Sequence, residues 1–75
     1  MADIELLKQV LKDSGMTMVA IAEKSGIERT TLYNRLNGIG DFTSREIVGL
    51  TNVLHLTKAQ RDRIFLSNKS TVSGQ

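Results

Sequence analysis

The stretch TMVAIAEKSGIERTTLYNRLNG, residues 17–38, decides how this chain folds. Thr17 is an N-cap, and a short helix follows from it to near Ser25, with Ile21 and Ala22 facing inward. Gly26 supplies the positive φ that a sharp turn between helices needs. A second short helix then covers residues 29–37. Ile27 and Leu32 have the spacing of a hydrophobic staple around Glu28 as N-cap. Leu32 and Leu36, one turn apart, anchor this helix, and Asn37-Gly38 ends it. Arg29, Thr30, Thr31, Tyr33, Asn34 and Arg35 are left for its outside.

Reading outward, residues 3–13 form a helix capped by Asp3, with Ile4, Leu7, Val10 and Leu11 at helical spacing and Gly15 as the stop. Leu6 lies off that stripe, either exposed or in contact with another chain. A fourth helix opens with a Thr43–Glu46 capping box and a Phe42–Ile47 staple, and Ile47, Leu50 and Leu54 form its core stripe. Gly49 inside it costs up to ~1 kcal/mol against Ala, which implies close approach of another helix. A fifth helix follows Thr57, with Gln60 completing a second capping box and Ala59, Ile64, Phe65 and Leu66 on the apolar side. His55, the only His, falls at a helix C-terminus. The expectation is an all-α fold, a compact bundle of about five short helices in residues 1–66, with a disordered polar tail at 67–75.

Composition agrees with one small domain. The 75 residues are 40% apolar and contain no Pro. They contain no Cys, which excludes disulfides, zinc–thiolate sites and thiol catalysis. No apolar run approaches the roughly 18–20 residues that span a bilayer, and Asp3 and Glu5 are wrong for a signal peptide, so the expected setting is cytoplasmic. Net charge is only +2. Between residues 24 and 45, Lys24, Arg29, Arg35 and Arg45 outnumber Glu28 and Asp41, whereas Lys8 and Lys12 are outnumbered by Asp3, Glu5 and Asp13 near the start. The basic lean therefore lies at the two-helix motif, though it is weak for a phosphate binder.

The residue types on the second motif helix suit the edges of DNA bases. Arg can make a bidentate contact to guanine and Asn to adenine, and Thr can touch a thymine methyl, each good pair giving roughly 1–3 kcal/mol of discrimination. Arg29, Thr30 and Asn34 are so placed. The backbone N–H groups at Thr17 and Met18 and the backbone around Asn37 and Gly38 suit phosphates. An ordinary solvated face is the competing reading for any small helical bundle. The Ala22–Gly26–Ile27–Leu32 spacing argues against it, because it packs two helices at the angle of a helix–turn–helix.

Residues 17–38 resemble the lambda-repressor/Cro-like helix–turn–helix family, carried by Ala22, Gly26, Ile27, Leu32, Asn37 and Gly38. With FTSREIVGLTNVLHLTKAQRDRIF (residues 42–65) the resemblance extends over about residues 4–66 and is similar to small phage or prophage regulators. It implies a five-helix, lambda-repressor-like DNA-binding domain. Its partner would be double-stranded operator DNA, bound by a homodimer, at least on DNA. The recognition helix would be about residues 28–37, with Glu28, Arg29, Thr30 and Asn34 contacting bases and Thr17, Met18, Thr31, Tyr33, Asn37 and Gly38 contacting the backbone. Two positions depart from the pattern: Met18 stands where the family often has a phosphate-binding Gln, and Arg35 where it has a late apolar residue, with Leu36 as anchor instead.

The sequence therefore reads as a sequence-specific transcriptional regulator with no catalytic residue, no metal site and no cofactor. The rival is a protein-interaction module, an antirepressor or assembly factor, that keeps this fold without binding DNA. Weak net charge, Met18 and Leu6 favour it. An enzyme is disfavoured, since no His–carboxylate pairing is visible and so short a helical chain leaves little space for a pocket. Ile64, Phe65 and Leu66 are consecutive, so one helix face cannot bury all three, and at least one of them could meet a partner chain.

Overall fold

The computed structural model describes residues 2–66. The expected disordered tail lies outside them. The described residues form five helices and no strand: α1 Ile4–Asp13, α2 Met18–Ser25, α3 Arg29–Leu36, α4 Ser44–Leu54 and α5 Lys58–Phe65. Each start is set by a local hydrogen bond except that of α3. The side chains of Asp3, Thr17, Thr43 and Thr57 accept from the backbone N–H groups of Leu6, Ala20, Glu46 and Gln60 at 3.0–3.2 Å. The Thr43–Glu46 and Thr57–Gln60 capping boxes are both complete. Glu28 starts α3 with extended backbone and no side-chain cap, so α3 depends more on packing.

That packing comes from a core of Leu7, Leu11, Ile21, Ala22, Ile27, Leu32, Leu36, Leu50, Leu56, Ile64 and Phe65, with no buried polar residue among those described. Leu7, Ile21, Leu32, Leu50 and Ile64 are the largest side chains wholly buried. At roughly 1.5–3 kcal/mol for each such side chain, these five supply much of the driving force. The ring of Phe42, just before α4, meets Phe65 edge to face at 5.3 Å between centroids. α2 packs on α3 and α4, while α5 packs on α1 and α4.

Three apolar residues sit elsewhere than their sequence spacing suggests. Leu6 is half-buried against the core and needs no second chain to cover it. Ala59 is exposed, because Ile64 and Phe65 already fill the contact α5 makes. Leu66 comes after the last helical residue and is 47% exposed.

Gly49 is the close approach expected inside α4. A Cβ there would lie 2.5 Å from the Ser25 carbonyl oxygen and 3.3 Å from its carbon. Both are backbone atoms at the end of α2, so no side chain can swing aside. Gly49→Ala gains up to ~1 kcal/mol of helix propensity but forces two helices apart, which typically costs ~1–3 kcal/mol. The expected outcome is net destabilisation, read as a lower urea midpoint at unchanged m value. A rise in the midpoint would contradict this contact.

Candidate nucleic-acid interface

The turn between α2 and α3 is made by Gly26 in the left-handed conformation, at φ 78° and ψ 18°. Its N–H donates to the Ala22 carbonyl, as does that of Ile27. These bonds close α2 and bring Ile27 into the core, and Leu32, four residues after the Glu28 cap, is buried with it. With Leu36 also buried, the inner side of α3 is fixed.

The outer side follows from helical geometry, in which residues four apart share a face. Thr30 and Asn34 stand one turn apart, opposite Leu32. Arg29 and Tyr33 form a flank, and Thr31 lies on the other. Glu28, Arg29, Thr30, Tyr33, Asn37 and Gly38 are exposed, and Thr31 and Asn34 are half-buried. Among the described residues, the side chains of Glu28, Arg29, Thr30, Thr31, Tyr33, Asn34 and Asn37 make no hydrogen bond within the chain. Their donors and acceptors are available to a ligand.

Two other residues are differently occupied. The Thr17 hydroxyl accepts from the Ala20 N–H and is committed to capping α2. Met18 is half-buried against the core and borders a groove, where its apolar side chain has no hydrogen bond to offer and its backbone N–H is the donor. Arg35 is not part of the outer face. Its Nε lies 3.4 Å from Glu46 Oε1, and its guanidinium donates to the Ile39 carbonyl at 3.3 Å. The same Glu46 oxygen accepts from the Thr43 N–H at 3.0 Å. One carboxylate thus ties the end of α3, the loop at 37–43 and the start of α4 together. Sequence reading found its capping role but not its reach to Arg35, since the pair is 11 residues apart.

Open grooves of about 350 Å³ lie on either side of α3. One is bounded by the turn between α2 and α3, Thr31, Arg45 and Glu46. The other is bounded by Lys8 and Lys12 of α1 with Met18, Tyr33 and Asn37. Arg45 and the two lysines entered the sequence reading only as charges, not as site residues. The lysines carry a legible signal, since they stand four residues apart on one face of α1.

The fold and this face define a helix–turn–helix domain whose second helix presents unpaired polar groups. Residues 2–37 match the family model described as "Bacterial regulatory protein, Fis family". The match covers α1, α2 and α3 to the Asn37 cap, just under half the chain, and supports a helix–turn–helix protein of the DNA-binding regulatory kind. No curated protein and no solved structure matches. No described helix is long and apolar enough to cross a membrane.

Replacement of Glu46 tests the tie that holds α3 to α4. Glu46→Ala removes the acceptor shared by Arg35 and the Thr43 N–H. At about 0.5–1.5 kcal/mol per bond, stability should fall by ~1–2 kcal/mol, with faster amide exchange at Thr43. Glu46→Gln retains the capping-box geometry and should lose less than half as much. Equal losses for the two variants would assign the effect to charge alone.

Proposed function

We propose that this protein is a sequence-specific, double-stranded DNA-binding transcriptional regulator of the phage or prophage repressor or Cro-like kind, with α3 in the major groove. The single observation that carries this is the outer face of α3. It is anchored beneath by Leu32 and Leu36 and presents polar side chains that the fold leaves unbonded.

Arg29, Thr30 and Asn34 read bases, Arg29 matching guanine and Asn34 adenine. Glu28, whose carboxylate is not used as a cap, suits the amino group of a cytosine. Thr31, Tyr33 and Asn37, with the backbone of Thr17, Met18 and Gly38, hold phosphates on either side. This division follows the general rule that phosphate contacts position the protein and base contacts specify sequence. The protein acts as a homodimer, at least on DNA. Of the consecutive Ile64, Phe65 and Leu66, Leu66 is the one left available to a second copy, 47% exposed just past α5. Half-sites should then lie about 34 Å apart on one face of the duplex.

Selection of bound duplexes from a random pool tests the reading. Arg29→Ala and Asn34→Ala should each relax preference at one base pair, with a loss of about 1–3 kcal/mol of discrimination there. If both variants select the parent sequence unchanged, the base-contact assignment is wrong. A parent protein that binds no duplex at low salt would instead favour a protein-interaction module, to which the exposed Val48 and Ile39 would contribute apolar contact.

A further inference from the structure

We infer that the groove between α1 and the end of α3 is a phosphodiester-binding site in which Lys8 and Lys12 are the charged contacts. The inference rests on the DNA-binding reading above and adds to it a part of the chain, α1, that this reading does not use.

The groove has a volume of about 350 Å³. Its floor is apolar, built on Leu11 and Leu36 of the core. Its rim holds Lys8 and Lys12 on one side and Tyr33 and Asn37 on the other, and no carboxylate lines it. Both lysines are exposed, and neither belongs to an ion pair among the described residues. The nearest acid in sequence, Asp13, accepts from the Gln9 side chain along α1 and does not line the groove. The groove on the opposite flank is different: there Arg45 shares the lining with Glu28 and Glu46, which offset its charge.

Position identifies the anion. Tyr33 and Asn37 are at the C-terminal end of α3, on the side of that helix next to its outer face. A helix seated in a major groove about 12 Å wide has a phosphate strand along each side. The strand on the Tyr33 side would meet the lysine-lined rim. The long lysine stems can lie along the apolar floor while the ammonium groups reach a phosphate oxygen. Met18, which also lines the groove, brings no charge to it, so the charge on this flank comes from α1. Lys8 and Lys12 line the groove, whereas Asp3, Glu5 and Asp13 do not.

The test is the slope of log K against log salt concentration for the parent, Lys8→Gln and Lys12→Gln on duplex DNA, with folding of each checked by circular dichroism. Lys58→Gln is the control, an exposed lysine on α5, which packs chiefly on α1 and α4 and does not line the groove. Each groove variant should lower the slope by about 0.9, the value for one released phosphate contact. It should also weaken a selected site and a random duplex by the same factor, and Lys58→Gln should change neither. A parent whose salt slope survives in both groove variants overturns the groove assignment and leaves the wider DNA-binding reading standing. A parent that binds no duplex at low salt overturns both.

Discussion

At Gly49 the surface of α4 rests against the carbonyl of Ser25 with no side chain between them. Ser25 is the last residue of α2, and the next residue, Gly26, turns the chain into α3. Pressure from α4 therefore fixes the end of α2, and the end of α2 fixes the direction in which α3 leaves. The bonds from Gly26 and Ile27 to the Ala22 carbonyl hold the turn itself. Arg35 and Glu46 then fasten the far end of α3 back to the start of α4. α3, with an uncapped N-terminus and only eight residues, is too short to be stable alone. α4 holds the far end of α3 directly through Glu46 and its start indirectly through the end of α2, which makes α4 the template for the exposed face.

Two sets of polar residues in this small domain have contrasting duties. Asp3, Thr17, Thr43, Glu46, Thr57 and Gln60 are consumed by helix starts, and Arg35 by the tie between helices. The second set, Glu28, Arg29, Thr30, Thr31, Tyr33, Asn34 and Asn37, has no such duty. With no polar group buried among the described residues, the core places no demand on this set. Those seven residues can change without a direct cost in core packing.

Much of this was legible in the sequence because it is written locally. Each capping bond spans three residues, and the threonines and Asp3 that make them sit just ahead of periodic apolar runs. The Ile27–Leu32 and Phe42–Ile47 staples are local too. Gly49 was readable as a close approach, since nothing else justifies glycine in a helix interior. Which backbone it approaches was not readable. Arg35 looked like one more outward polar residue, because its partner lies on another helix. The juxtaposition of Lys8 and Lys12 with Tyr33 and Asn37 depends on how α1 packs near α3, which no local pattern encodes. Leu6 and Leu66 were likewise decided by packing, one drawn in and the other left past the end of a helix.

The N–H of Asp3 donates to the carbonyl of Ile64 at 2.6 Å, so the first and last helices of the bundle are stitched together at their outer ends. The path of the described residues therefore closes nearly into a ring. A ring of this kind can be opened at a different loop and rejoined through a short linker from residue 66 to residue 2, which leaves Phe65 in the core and meets the geometric condition for circular permutation. It also means that the bundle can be set into a surface loop of a larger protein with little strain, entering and leaving at one point.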